Sequence, residues 1–164
     1  AWPTDSVNLD QPLTAALSRG GVVSLTNVGS QKEVLEQWLA NIELESGGDK
    51  SLLLEDLHSR EQLSSTGLGN GMAIPHPRTP NPQYATKPTV FLARVSPEVA
   101  WNALDGKRVH SLFLLLSPTP KEHLQILSRV AFVLRDESFQ KLLASPASAE
   151  EIMVTLASLE PQSA

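Results

Sequence analysis

Residues 64–82 read SSTGLGNGMAIPHPRTPNP and have the most distinctive composition in the chain. They hold three of the nine glycines and four of the twelve prolines, on both sides of one imidazole, that of His76. Glycine permits positive φ and close approach of the backbone to a ligand, whereas proline fixes its own φ and pushes the preceding residue out of the α region. The sequence therefore predicts a tight glycine bend that leads into a stiff, extended segment presenting His76.

Length, charge and composition limit the classes of protein that fit. The chain has 164 residues, a formal net charge of −5 and no cysteine. We expect one domain over 13–160, between a lead-in over 1–12 with Trp2 as its anchor and a tail over 161–164. The acidic balance argues against a nucleic-acid surface, and the lack of cysteine excludes disulfides and thiolate metal sites. Because no apolar run approaches 18 residues, we expect a cytoplasmic protein without membrane insertion.

Hydrophobic periodicity and helix-capping residues predict the remaining elements. In chain order we expect a helix from Leu13, a strand over 22–25, helices capped by Ser30 and Asp49, strands over 89–95 and 109–116, and helices beginning near Thr119, Glu137 and Ser148. The continuous apolar run of 109–116 indicates burial on both faces of a sheet. In the helix after Thr119, the predicted apolar stripe consists of Leu124, Leu127, Val130, Ala131 and Leu134. Interleaved helices and strands indicate an α/β fold with a mixed sheet.

The glycine stretch lacks the common nucleotide-binding motifs. No Lys-Ser/Thr follows the glycines as in a P-loop, and G-x-G-x-G is not the dinucleotide fingerprint. A histidine beside a loop of backbone N–H donors suits transient attachment of a phosphoryl group to nitrogen, because such donors bind anions and neutral imidazole is nucleophilic. The residues alone leave a second interpretation open, in which His76 is an ordinary turn histidine.

The run LSSTGLGNGMAIPHPR, residues 63–78, resembles an active-site signature of the bacterial phosphoenolpyruvate-dependent sugar phosphotransferase system. The signature is that of its enzyme IIA domains of the fructose/mannitol class, which includes the nitrogen-regulatory members. The similarity continues through Arg60-Glu61, Trp101 to Gly106, the apolar strand 112–116, and Glu122-His123-Leu124. It implies a mixed β-sheet flanked by helices on both faces, over nearly the whole chain.

Carried over residue by residue, the resemblance implies a set of catalytic roles. His76 is the phosphorylated nucleophile, His123 stabilises the phosphoryl group, and Arg60 pairs with phosphate oxygens. The substrate-binding residues implied are Ser65, Thr66, Gly67, Gly69 and Gly71. The residues themselves leave other interpretations open, namely a core histidine for His123 and a solvated helix-end arginine for Arg60.

The resemblance also implies partners and a phosphotransferase activity. The histidine accepts its phosphoryl group from the carrier HPr or a paralogue, and passes it to a IIB component or keeps it as a regulatory signal. No metal and no cofactor is implied. Two other functions stay open, a non-catalytic regulatory binding module and a histidine-based ligand or metal site. Because no IIB or HPr segment is visible, we expect a free-standing member of the nitrogen-regulatory type.

Several residues depart from the family pattern or bear on docking. Pro77 stands where the family commonly has glycine, so one backbone N–H is missing beside the phosphoryl position. His110 stands where many members carry an acidic residue, and we interpret it, like His58, as structural. For the carrier we expect an apolar docking ring around His76, formed by Leu68 and Met72, with Ile74 packed inwards and Glu61 as an acidic rim residue.

Overall fold

The computed structural model describes residues 11–162, so Trp2 lies outside the described residues. The elements in chain order are α1 (Pro12–Gly20), β1 (Gly21–Thr26), α2 (Gln31–Ala40), α3 (Lys50–Leu63), β2 (Gly67–Gly69), β3 (Met72–Ala73), β4 (Thr89–Val99), β5 (Val109–Leu116), α4 (Pro120–Val133), α5 (Glu137–Ala144) and α6 (Ala149–Leu159). In this part of the chain, no helix has the length and apolar character needed to span a membrane.

Within residues 11–162, five strands form one sheet in the order β1-β4-β5-β3-β2. β1 runs parallel to β4 and β3 runs parallel to β5, whereas the β4–β5 and β2–β3 pairs are antiparallel. The predicted mixed sheet is therefore confirmed. The central strand β5 lies beside β3, which leads directly to His76.

Helices cover both faces of the sheet, as predicted. On one face α2 and α3 pack against Phe91 and Ala93 of β4, and on the other α1, α4, α5 and α6 pack against Val90 and Leu92. This alternation follows from the strand period of two. β5 is buried along almost its whole length, so its predicted burial on both faces is confirmed.

Side-chain caps begin four of the helices at the predicted residues. Ser30, Asp49, Thr119 and Ser148 each accept a hydrogen bond from a backbone N–H of the first helical turn. These bonds satisfy donors that have no partner within the helix. Both bonds of a capping box are present at Ser148, whereas at α2 the carboxylate of Glu33 accepts from the Ser30 hydroxyl.

The glycine stretch forms a hairpin rather than the simple bend that we expected. β2 pairs with β3, and both residues between them have positive φ, 55° at Asn70 and 83° at Gly71. Two successive positive φ values are typical of the tight turn that Asn-Gly favours in hairpins. The Asn-Gly dipeptide was therefore the sequence signal for this element.

The predicted apolar stripe of α4 is wrong in part. Leu124 and Ala131 face solvent, whereas Ile126, Val130 and Val133 are buried. Both sets have helical spacing, and the packing of α4 on β5 selects the second. An exposed leucine, Leu124, therefore lies next to His123 in α4.

Candidate functional site

His76 follows β3 in a segment that backbone hydrogen bonds hold on both sides. The N–H of Ile74 donates to the carbonyl of Thr66 at 3.0 Å, and the N–H of Leu115 donates to the carbonyl of Pro75 at 3.0 Å. The segment thus continues the strand pairing beyond the end of β3. The imidazole is presented from a fixed, extended backbone, as the glycine–proline pattern predicted.

A backbone carbonyl determines which nitrogen of His76 carries the proton. Nδ1 of the half-buried ring lies 2.7 Å from the carbonyl oxygen of Ile74. Because a carbonyl oxygen can only accept, the neutral ring carries its proton on Nδ1. Nε2 therefore keeps the lone pair and is the nucleophilic atom.

His123 lies beside this ring, as the resemblance implied. The centroids of the two imidazoles are 5.1 Å apart, with the ring planes inclined at 40°. His123 belongs to the first turn of α4, where its N–H donates to the carbonyl of the N-cap residue Thr119 at 3.0 Å. The helix N-terminus favours negative charge at this position. Two histidines and a helix N-terminus therefore converge on one place.

The surroundings favour the neutral form of both imidazoles. Burial lowers the pKa of His76, while the hydrogen bond to Ile74 raises it and the charge of Arg60 lowers it. Burial also lowers the pKa of His123, and His76 lowers it further. Since only neutral imidazole has a free lone pair, lowered pKa values keep His76 nucleophilic at neutral pH.

Arg60 approaches the site from the last turn of α3. Its Nη1 donates to the carbonyl of Ser64 at 2.8 Å and to the hydroxyl of the same residue at 3.4 Å. These bonds hold the guanidinium near the start of the hairpin, and its charge acts on the pKa of His76. A guanidinium within electrostatic reach of the nucleophile suits pairing with phosphate oxygens.

Glu61 is a buried support of the loop, and our prediction of an acidic rim residue is wrong. It is 7% exposed, and its Oε2 accepts the N–H of Thr66 at 3.0 Å while its Oε1 accepts the hydroxyl of Thr66. Nε1 of Trp101 donates to the same hydroxyl oxygen at 3.2 Å. Both polar donors of Thr66 are thus engaged inside the protein, and its role in phosphate binding stays a prediction.

Ser65 and Gly67 are likewise held by internal hydrogen bonds. The hydroxyl of Ser65 donates to the carbonyl of Trp101 at 2.5 Å and accepts the N–H of Gly67 at 3.0 Å. A Cβ at position 67 would lie 2.8 Å from the Cβ of Ala103. Close contact with the loop that begins at Trp101 explains this glycine, and its role in phosphate binding stays a prediction.

Gly69 and Gly71 lie at the turn of the hairpin, away from His76. Four residues lie between Gly71 and His76, and the five steps of extended chain span about 16 Å at roughly 3.3 Å per step. Their neighbours are the carboxylate of Asp105 and the imidazole of His110, respectively. The turn itself explains both glycines, and their role in binding substrate stays a prediction.

The surface around the pair of histidines corrects the predicted docking ring. Met72 is 2% exposed and belongs to the core, so its assignment to the ring is wrong; Ile74 packs inwards, as expected. Leu68 is 46% exposed, as the ring requires. Leu124, which follows His123 in α4, is also exposed, although we did not predict it for the ring.

The described residues bear on the metal-site alternative in one respect. Among residues 11–162, no three His, Asp or Glu side chains are grouped so that they could hold a metal ion. The two imidazoles of His76 and His123 thus have no carboxylate or third imidazole placed with them for a metal centre. A protein metal site usually has three or four ligands.

Comparisons with known proteins identify the family. The family model described as "Phosphoenolpyruvate-dependent sugar phosphotransferase system, EIIA 2" matches residues 17–158. The chain is 39% identical to the nitrogen regulatory protein of Pseudomonas aeruginosa over 153 residues, covering 89% of this chain and 92% of that protein. It is 31% identical to the fructose-specific EIIA component of Haloferax volcanii over 140 residues, covering 83% of this chain and 89% of that protein.

A solved structure agrees with both sequence comparisons. The crystal structure of the nitrogen regulatory protein IIA-Ntr from Neisseria meningitidis is similar to this fold with a TM-score of 0.74 and 35% sequence identity, covering 88% of this chain and 94% of that one. The family match spans both His76 and His123, the two residues that the fold brings together. The chain belongs to the type 2 EIIA family of the phosphoenolpyruvate-dependent sugar phosphotransferase system.

Proposed function

We propose that the protein is a phosphocarrier that accepts a phosphoryl group on Nε2 of His76. The observation that carries this proposal is the 2.7 Å contact between Nδ1 of His76 and the carbonyl of Ile74, with the ring of His123 5.1 Å away. The contact leaves the lone pair on Nε2, and a second imidazole at this distance supports a role for His123 in hydrogen-bonding to the attached group. The donor is a histidine-phosphorylated carrier, HPr or a paralogue.

The transfer needs no cofactor, because one phosphorus–nitrogen bond replaces another. The lone pair on Nε2 of His76 attacks phosphorus, and the bond to the donor's imidazole nitrogen breaks with its electron pair returning to that nitrogen. Such transfers depend mainly on positioning and on stabilising the charge of the phosphoryl oxygens. Arg60 and the imidazole of His123 provide the nearby cation and hydrogen-bond donor.

The relatives favour a regulatory destination for the phosphoryl group. Two of the similar proteins, 39% and 35% identical, are nitrogen regulatory proteins. A neighbour with 19% identity is the mannitol enzyme IIA in complex with phosphorylated IIB. We therefore place this chain among carriers whose phosphorylation state acts as a metabolic signal, with transfer to a IIB component as the alternative.

Partner proteins must reach His76, and the exposed leucines suit that contact. Leu68 projects from β2 and Leu124 follows His123 in α4, where it is 64% exposed. Leucines around a polar centre give the apolar contact that protein interfaces need, while the centre determines the chemistry. The predicted cytoplasmic location, where such carriers operate, stays a prediction.

Phosphorylation of the purified protein tests the proposal. We expect incubation with phosphoenolpyruvate, the first enzyme of the system and HPr to add one acid-labile phosphoryl group, detected by intact-mass spectrometry. His76→Ala should abolish the addition, while His58→Ala, which changes an exposed histidine of α3, should leave it intact. Undiminished labelling of a folded His76→Ala protein would overturn the proposal. Adding a IIB protein then distinguishes onward transfer from a retained signal.

A further inference from the structure

A cleft opens at the turn of the hairpin, at the opposite end of β3 from His76. Its volume is about 510 Å³, within the usual range of small-molecule sites. Its lining includes the polar side chains of Lys107, Arg108, Lys141, His110, Gln140 and Glu98. None of these residues takes part in the proposed phosphoryl transfer.

The cleft concentrates positive charge on an acidic protein. Lys107, Arg108 and Lys141 line it, while the formal net charge of the whole chain is −5. Among residues 11–162 the ion pair found within 4 Å is that of Arg129 with Glu160, so none of these three cations has a carboxylate oxygen that close. The lining thus holds three cations against the single carboxylate of Glu98, and such an excess of positive charge favours an anionic ligand.

Two acidic side chains near the cleft offset part of this positive charge, because Glu98 lines the cleft and Asp105 interacts electrostatically with Lys107. The carboxylate of Asp105 accepts the backbone N–H groups of Asn70 and Lys107, at 2.8 and 3.0 Å. The carboxylate of Glu98 lines the cleft, and its backbone carbonyl accepts from Arg108 at 3.4 Å. The cleft therefore offers three cations and one carboxylate acceptor.

His110 forms the inner wall of the cleft. Its ring Nδ1 lies 2.8 Å from the hydroxyl of Ser111, and its backbone N–H donates to the carbonyl of Gly71 at 2.8 Å. The ring covers Gly71 so closely that a Cβ at position 71 would lie 2.4 Å from the imidazole. Burial is the largest influence on the pKa of His110 and lowers it, and the charge of Arg94 lowers it further. The charge of Glu98 and a hydrogen bond with the backbone of Asn70 act in the opposite direction. An anion bound beside this ring would raise its pKa.

We propose that this cleft binds a small polyanion that carries hydroxyl groups, either a phosphate ester or a hydroxylated polycarboxylate. The three cations recognise the anionic groups. Hydroxyls can donate to Glu98 and to the amide oxygen of Gln140, whose Nε2 already donates to the carbonyl of Leu134 at 2.7 Å. The site is separate from His76 and does not depend on the proposed phosphotransfer.

The test is a titration of the purified protein, at constant ionic strength, with glycerol 3-phosphate, with citrate and with inorganic phosphate. We expect saturable binding by calorimetry at millimolar concentrations or below for at least one of the two hydroxylated anions, and weaker binding of inorganic phosphate. Proton NMR should show a higher pKa for His110 in the complex than in the free protein. Binding of one anion class alone assigns the ligand to that class.

Variants locate the binding in the cleft. Arg108→Gln and Lys141→Gln should each weaken binding about tenfold or more, since each removes a charge-assisted contact. Lys87→Gln, which removes an exposed cation elsewhere, should leave binding unchanged. The protein with His76→Ala should bind as well as the original, so the outcome is independent of phosphorylation. Absence of saturable binding, or equal weakening by Lys87→Gln, would overturn the proposal.

Discussion

At the scale of single residues, the nature of the group that orients His76 bears directly on its chemistry. The acceptor for Nδ1–H is the backbone carbonyl of Ile74 rather than a carboxylate. A carboxylate would also fix the tautomer, but its negative charge would raise the pKa of the ring and repel an arriving phosphoryl group. A neutral carbonyl fixes the same tautomer without that charge, so the ring stays available as a nucleophile.

His123 should act after the phosphoryl group has arrived. Burial lowers its pKa in the free protein, whereas a dianionic group on His76 would raise it, because opposite charge favours protonation. We expect NMR titration to show this rise on phosphorylation. His123→Ala should still be labelled at His76 but should transfer onward roughly tenfold to a hundredfold more slowly, since a hydrogen bond to a charged group contributes about 1.5–3 kcal/mol. Onward transfer at the original rate would assign His123 a packing role.

Glu61 should support the nucleophile through a chain of hydrogen bonds. The chain runs from the Glu61 carboxylate to Thr66, from the Thr66 carbonyl to Ile74 N–H, and from the Ile74 carbonyl to His76. Glu61→Ala leaves buried donors unsatisfied, which costs about 1–3 kcal/mol, and should also shift the NMR signals of the His76 ring. Glu61→Gln, which keeps an acceptor for the Thr66 N–H, should restore much of the lost stability and much of the original position of the His76 signals. The exposed Glu55→Ala on the same helix serves as control, and an unshifted His76 signal in Glu61→Ala would contradict the chain.

At the scale of elements, the sequence predicted what local chemistry determines and missed what packing decides. The caps at Asp49 and Thr119 are readable because a side-chain acceptor must satisfy first-turn donors. The phase of α4 was not readable, because Leu124 and Ile126 begin equally good apolar stripes. Met72 was misplaced for a similar reason: in a two-residue strand, alternation is too short to show which face is buried.

The hairpin turn gives a test at this scale. Gly71→Ala should destabilise the fold for two reasons, since φ is +83° and a Cβ would lie 2.4 Å from the ring of His110. Gly47→Ala is the matched control, because φ is +71° there and the space around a Cβ is open. In urea denaturation we expect Gly47→Ala to lower the free energy of unfolding by about 1–2 kcal/mol, and Gly71→Ala to lower it by more.

The double variant with His110→Ala isolates the steric part of that effect. Without the imidazole of His110, Gly71→Ala should lower the free energy of unfolding only as much as Gly47→Ala does. Equal losses for Gly71→Ala and Gly47→Ala would mean that His110 moves aside without cost.

At the scale of the whole molecule, the order of strands creates the site. β3 and β5 are parallel neighbours, so their carboxyl ends lie at the same edge of the sheet. His76 follows β3, and α4 with His123 follows β5, which brings the two imidazoles together across 47 residues of sequence. Open α/β sheets commonly hold ligands at this edge. Pattern analysis predicted a mixed sheet, but long-range pairing leaves no local signal, and the two histidines were paired by family resemblance alone.

The same burial that keeps the histidines neutral should make the whole fold sensitive to acid. Burial lowers the pKa values of His76, His110 and His123 below the ordinary value near 6.5 that each has in the unfolded chain. At a pH between the folded-state and unfolded-state pKa values, the unfolded chain binds more protons than the folded protein. The stability that these histidines contribute is therefore fully present above about pH 7 and is lost as the pH drops below about 6.5. The urea midpoint should therefore be lower at pH 5.5 than at pH 7.5. His123→Gln should reduce this difference in midpoint. A midpoint independent of pH over this interval would show that the imidazoles ionise freely in the fold.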